Sequence, residues 1–322
     1  MKYVNNILYP QTGGELIGQG TFGCAFRPMI PCEGKNIRIP GKISKLIEKN
    51  EAKKEYKEAL RIDKIDPNGV FHILAPELCK MNSKYKKEPG IYRCKPFGEI
   101  NYDFKQVRLL QYSDGGMDLD DYLKTLPVDV NFNSDLTKNF LLSLEPLFIG
   151  LKEMYKKKFM HLDIKMQNIV YDGKLNRCKY IDFGTSGYVK EMNKKDYLFD
   201  AGYFVYPSEI MYLLMRNISN PKFDSKKVEN HVLKIFDNVY DNDSYAYEFI
   251  KDNFYNGDIY EMSFQPETIE IYRQVLNKES TLDKCIIKFC EKLDVFSLGI
   301  VLVSIYTHIS GHLYNLTSLK EN

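Results

Sequence analysis

The chain has no tryptophan, only five histidines in 322 residues, and no two cysteines at CxxC spacing. A zinc ribbon or a dithiol redox motif is therefore excluded as an organising feature. The seven cysteines are scattered, and Cys32, Cys79 and Cys94 are too far apart to form a metal knuckle. Buried free thiols in a reducing compartment are the expectation. Charge of neither sign dominates: 45 Lys and Arg stand against 43 Asp and Glu, for a net charge of +2. Composition thus gives no electrostatic case for nucleic acid. The first residues, MKYVNNILYPQTGGE, lack an apolar signal core. The longest apolar run, near Leu298–Tyr306, is too short to cross a bilayer and predicts a buried helix. There is no low-complexity tail and no internal repeat. These absences lead to the expectation of a cytoplasmic, monomeric protein with no membrane or nucleic-acid partner.

The sequence does contain enough apolar residues, 44%, for one large domain or two lobes around a cleft. It is organised around Met160–Gly184, MHLDIKMQNIVYDGKLNRCKYIDFG. Two strand-like stretches, Asn168–Tyr171 and Lys179–Ile181, lie beside Asp163 and Asp182. A tight hairpin would turn Asp163, Asn168 and Asp182 the same way. Their oxygens are hard ligands of the kind Mg²⁺ prefers, and a remaining carboxylate could orient a hydroxyl.

Upstream, Glu15–Arg27 reads ELIGQGTFGCAFR, with Gly18, Gly20 and Gly23 in a GxGxxG pattern. Glycines allow close backbone approach to phosphates. A dinucleotide fingerprint needs a helix next, whereas Pro28 and Pro31 follow here. The pattern therefore fits a strand-loop-strand hairpin. Lys42–Ile47 predicts a third strand, and Lys42 and Lys45 compete as its functional lysine. Asn50–Ile65 is helical by pattern, with Ala52, Tyr56, Ala59 and Ile62 inward. Glu55 falls within that stripe, where an unpaired charge is costly. Phe71–Cys79 and Val107–Tyr112 read as strands, Leu119–Leu126 as a short helix, and Thr137–Phe159 as one long amphipathic helix. The basic stretch Lys80–Lys105 is expected to be a solvated loop.

The stretch His161-Leu162-Asp163-Ile164-Lys165-Met166-Gln167-Asn168 resembles the catalytic loop of eukaryotic-type protein kinases, and Asp182-Phe183-Gly184 resembles their magnesium motif. The glycine pattern is similar to their glycine-rich loop, and Leu293–Leu302 is similar to their F-helix. The Leu in HLD, the long insertions and the FSLG helix resemble kinases of large cytoplasmic DNA viruses.

The resemblance implies an α+β, two-lobed fold: a β-rich N-lobe with one C-helix over 1–112, and a larger helical C-lobe over 113–322. It further implies an insertion at 80–105, an activation segment at 182–209, a second insertion at 210–293 and an F-helix at 293–306. After that helix the chain is truncated or atypical for the family. ATP and Mg²⁺ are the implied cofactors, and ATP and Ser/Thr-bearing proteins the implied partners. Asp163 would align the acceptor hydroxyl, and Lys165 would contact the γ-phosphate, which suits Ser/Thr kinases. Asn168 and Asp182 would hold the metal. Lys45, paired with Glu55, would hold the phosphates. Ile17, Gly18, Gly20, Gly23, Ala25 and Val170 would surround the nucleotide, Ala25 as a thinner lid than the usual Val. Leu110 would close the rear of the adenine pocket, and backbone groups of Gln111 and Ser113 would hydrogen-bond the base. His161 and Phe183 would be core. Asp294 would receive backbone N–H groups of the catalytic loop. Leu162 replaces the Arg that commonly receives an activation-loop phosphate, which implies activity independent of that phosphate. Tyr206-Pro207-Ser208-Glu209 stands for Ala-Pro-Glu. Two rival readings remain open: a pseudokinase, and a small-molecule kinase of the aminoglycoside type.

Overall fold

The computed structural model describes residues 14–20, 23–97, 103–126, 135–191, 292–306 and 308–309. The Tyr206–Glu209 motif, most of the activation segment and the 210–293 insertion lie outside these residues, apart from 292–293. Two compact units are present. The first comprises Met1–Gly116 with Ile181–Gly184, and the second comprises Met117–Tyr180 with Thr185–Asn322.

The first unit is a five-stranded antiparallel sheet in the order β1-β2-β3-β5-β4. Its strands are β1 (Glu15–Gly20), β2 (Gly23–Arg27), β3 (Lys42–Glu48), β4 (Glu77–Cys79) and β5 (Val107–Ser113). Helix α1 (Lys49–Asp63) follows β3 directly, and its N-terminal N–H groups are capped by the Glu48 carboxylate. Its buried residues include Ala52, Glu55, Ala59 and Ile62, as the periodicity predicts. The predicted strand over Phe71–Cys79 shrinks to β4. Side chains take the backbone donors before it: Asp66 accepts from Val70 and Phe71, and Asp63 from Ala75. An N–H held by a carboxylate cannot join a ladder.

The basic stretch after β4 keeps Lys84 and Lys87 exposed, as a solvated loop would, but it is not a free loop. It packs on the β2–β3 connection through Glu33 N–H to Lys80 O (2.8 Å), Asn82 Nδ2 to Lys35 O (2.7 Å) and a half-buried Arg38–Glu88 ion pair. Helix α2 (Pro89–Arg93) closes it, with Gly90 against β1's approach. A Cβ at Gly90 would lie 2.2 Å from Gly14 O, so only glycine fits there.

Two disulfides, Cys24–Cys94 and Cys32–Cys79, tie the same stretch to the sheet, and Cys178 in the second unit is free and buried. The free-thiol expectation is thus corrected for four cysteines. The sequence separations of 70 and 47 residues hid partners that the folded sheet brings together. Cysteine usage consequently no longer argues for a reducing compartment. Closing loops of these lengths contributes ~4 kcal/mol each by chain entropy. Non-reducing peptide mapping should recover both linked pairs, and reduction should lower Tm markedly. Burial raises the Cys178 thiol pKa to about 12, so this cysteine should resist alkylation until the protein unfolds.

In the second unit, β6 (Met117–Asp118), β8 (Ile169–Asp172) and β9 (Arg177–Tyr180) form one antiparallel sheet. Helix α3 (Leu119–Thr125) follows β6. The long helix predicted over Thr137–Phe159 is instead two, α4 (Asp135–Leu142) and α5 (Glu145–Lys156). Pro146 has no N–H for the carbonyl one turn back, and the Ser143 carbonyl accepts from Cys178 N–H on β9 (2.8 Å). The break therefore anchors the helix pair to the sheet. Strand β7 (Phe159–Met160) pairs with β10 (Gly187–Tyr188). Helix α6 spans residues 292–306 and buries Leu293, Leu298, Val301 and Ile305 on one face. Among the described residues no helix is long and apolar enough to cross a membrane.

Candidate active site

Strand β3 and helix α1 set one cluster, within the first unit. Lys45 Nζ lies 2.7 Å from Glu55 Oε2 and 2.9 Å from Asp182 Oδ1. The competition between Lys42 and Lys45 is thereby resolved: Lys42 closes the β3–β5 ladder opposite Ser113, and Lys45 carries the ion pairs. Glu55 is buried at 3% exposure. Burial alone would push Lys45 down, but Asp182 and Glu55 outweigh it and hold the ammonium above the ordinary lysine range. The result is a fixed cation beside two carboxylates. Asp182 sits at φ 62°, a left-handed conformation that costs energy for a residue with a side chain. Phe183, next to it, is buried and meets His72 edge to face, with centroids 6.0 Å apart. His72 is in turn held at both ring nitrogens, by Asp66 Oδ2 (2.9 Å) and Asp63 Oδ1 (2.8 Å). The Asp-Phe-Gly turn is thus braced by the end of α1.

The glycine hairpin is β1–β2. Gly20 pairs with Gly23, and Gly18 pairs with Ala25 after a bulge that passes Ile17, which is 37% exposed. A Cβ on Gly23 would lie 2.3 Å from Leu46 O, whereas Gly20 faces open space. The third glycine is therefore demanded by strand packing as well. Ala25 lies opposite Lys45 in the ladder. Leu110 is fully buried, likewise opposite Lys45 on β5. The expectation for Gln111 is corrected. Its backbone lies inside the sheet, in register with Ser44 on one side and Glu77 on the other, and its Nε2 donates to Ile30 O (2.8 Å). Strand β4 has ended by Ser113, which pairs with Lys42 alone. Of the two residues, only Ser113 keeps an outward backbone edge.

The second cluster lies within the second unit, on the loop between β7 and β8. Asn168 Nδ2 donates to both the Asp163 carboxylate (Oδ2, 2.7 Å) and the Asp163 carbonyl (2.9 Å). Lys165 Nζ lies 3.1 Å from Asp163 Oδ1. With its amide N–H₂ committed, Asn168 has Oδ1 left as a lone-pair oxygen. The loop is held from below by Asp294 of α6, which accepts from His161 N–H (2.7 Å) and Leu162 N–H (2.9 Å). Leu162 has φ 65°, and these bonds fix that conformation. His161 is fully buried, as expected of a core residue. Val170 is buried on β8, opposite Asp118 and Lys179.

Sequence reasoning missed several participants. The Tyr112 hydroxyl donates to Glu55 Oε1 (2.7 Å). Strand alternation from Leu110 carries the signal for this contact. Arg27 Nη2 clamps the chain leaving β5, through Asp114 Oδ1 (2.5 Å) and the Gly116 carbonyl (2.7 Å). No local pattern marks that pairing, which spans most of the unit.

A β-sheet with one flanking helix, a lysine between two carboxylates, and an interlocked Asp-Lys-Asn loop anchored on the buried Asp294 define the protein-kinase-like class of α+β folds. The protein kinase domain family matches residues 12–221, well over half of the 322-residue chain, and the chain belongs to that family. It is similar to serine/threonine-protein kinase prpf4B of Dictyostelium discoideum, 25% identical over 103 residues. That stretch covers 32% of this chain and only 12% of the Dictyostelium protein.

Proposed function

We propose that the protein is an ATP- and magnesium-dependent kinase that transfers the γ-phosphate to serine and threonine hydroxyls of proteins. The observation that carries this reading is the Lys45–Glu55–Asp182 cluster. Membership of the family makes phosphoryl transfer from ATP the natural chemistry, and a lysine kept charged by two carboxylates is built to bind phosphate oxygens. Asp182 in the first unit and Asn168 in the second each supply a hard oxygen of the kind magnesium prefers, and on this reading they would hold the metal. When bound, the metal would neutralise charge on the phosphates.

The chain's own residues do the rest by position. Asp163, gripped by Asn168 and Lys165, presents a carboxylate that can orient the acceptor hydroxyl and take up its proton. Lys165 can then turn to the transferred phosphate. Gly18, Gly20 and Gly23, with Ile17 and Ala25, form the flap over the nucleotide. Val170 supplies an apolar floor, and Ser113 offers a backbone edge to the base. Lys165 and the Dictyostelium relative's name support Ser/Thr over Tyr acceptors. The filled and paired charged positions argue against a pseudokinase.

Purified protein given γ-labelled ATP, magnesium and a generic basic protein should yield phosphoserine and phosphothreonine. Chelation should remove the activity, and added magnesium should restore it. ATP binding with no transfer would favour a pseudokinase. Labelling of sugars or aminoglycosides but not protein would favour a small-molecule kinase.

A further inference from the structure

Glu55 is a buried carboxylate with two oxygens to satisfy. Lys45 takes Oε2 at 2.7 Å, and the Tyr112 hydroxyl takes Oε1 at 2.7 Å. Tyr112 lies on β5 opposite Ile43, two residues beyond Leu110, which lies opposite Lys45. Alternation puts all four side chains on one face of the sheet. The Tyr112 ring packs on the cluster of Ile47, Ala52 and Leu110, alongside Tyr56 and Leu78. This packing aims the hydroxyl at α1, where it donates to Glu55.

We infer that Tyr112 is a positioning residue for phosphoryl transfer: its hydroxyl ties Glu55 of α1 to β5, and through Glu55 it fixes Lys45. The inference rests on the kinase reading and adds a residue to it. A buried carboxylate held at one oxygen only can rotate, and its ion pair moves with it. Held at both, it leaves the lysine one place to be. Burial and the neighbouring Glu55 carboxylate push the Tyr112 phenol well above its ordinary pKa, so it remains a neutral donor throughout the working pH range. Leu162 adds a reason for such a tie. Leu162 stands beside Asp163 where an Arg could have received a phosphate, and the contacts that hold Glu55 lie wholly within the first unit.

The test is a double-mutant cycle on the full chain, with Tyr112→Phe, Glu55→Gln and the pair. Each variant is measured for Mg-ATP affinity by calorimetry and for steady-state phosphotransfer to a generic basic protein. Tyr112→Phe keeps the ring and its packing, so the fold should survive, and a thermal melt checks this. The expected result is about a tenfold loss in kcat/KM for ATP, with the KM for the protein acceptor unchanged. The double variant should be no worse than Glu55→Gln. A purely structural role would lower Tm without this split between the two substrates. Tyr112→Phe activity within twofold of wild type would overturn the inference, as would a loss that adds in full to that of Glu55→Gln. If the wild type binds ATP but transfers nothing, the kinase reading fails, and the cycle in ATP affinity alone still decides whether Tyr112 and Glu55 act together.

Discussion

Replacing Asp163 with asparagine should lower kcat about a thousandfold and leave ATP affinity nearly unchanged. That loss corresponds to ~4 kcal/mol of transition-state stabilisation. The reason lies in how the carboxylate is held. Asn168 Nδ2 faces one oxygen and Lys165 Nζ the other, so both neighbours are donors. An asparagine can turn its oxygen to only one of them. Facing Asn168, it opposes its own N–H₂ to the Lys165 ammonium. Facing Lys165, it sets two amide donors against each other. The variant thus loses the proton acceptor and disorders one of the two groups that position it. Lys45, Glu55 and Asp182 belong to the other unit and are untouched, which is why nucleotide affinity should persist. Steady-state kinetics with calorimetric ATP binding checks both halves. A kcat within tenfold of wild type would remove Asp163 from the chemistry.

The parts that sequence reasoning reached are those with a local signature. The stripe of Ala52, Ala59 and Ile62 turned Glu55 inward, and the cost of burying an unpaired charge called for a partner, which the resemblance identified as Lys45. The hairpin of β8 and β9 followed from two short apolar runs. Asp294 was placed by resemblance alone, since nothing local tells a buried acceptor from a surface acid. The errors have a common physical cause, which is competition from distant groups. Asp63 and Asp66 take donors that would have extended β4. Pro146 and the Cys178 contact cut one amphipathic pattern into two helices, although the apolar period runs through the break. The disulfide partners and the Arg38–Glu88 pair depend on how the insertion folds back, and no periodicity encodes that. Gln111 was misjudged because the end of β4, not the sequence of β5, decides where the sheet stops enclosing the strand.

Removing the Asp294 carboxylate should be the most damaging change outside the reacting groups. Asp294 is 4% exposed and accepts two backbone donors, His161 N–H and Leu162 N–H. In Asp294→Ala both would be left in an apolar interior, at about 1–3 kcal/mol each. The left-handed backbone at Leu162 would lose the bond that holds it, and the loop would relax toward ordinary φ. Relaxation there moves Asp163, the next residue, so activity per folded molecule should fall along with stability. Asp294→Asn, whose amide oxygen is a weaker acceptor, should fall between. The pH dependence has a definite sign. Burial raises the Asp294 pKa above the ordinary carboxyl value, opposed by His161 and by the two N–H donors. A raised folded-state pKa means a contribution that is complete below the unfolded value and is lost as pH rises through the folded one. The stability gap between wild type and Asp294→Asn should therefore be widest in acid and narrow toward neutrality. Urea unfolding across that range, with phosphotransfer corrected for the folded fraction, measures both effects. If Asp294→Ala unfolds at the wild-type midpoint and keeps its turnover, the loop does not depend on α6.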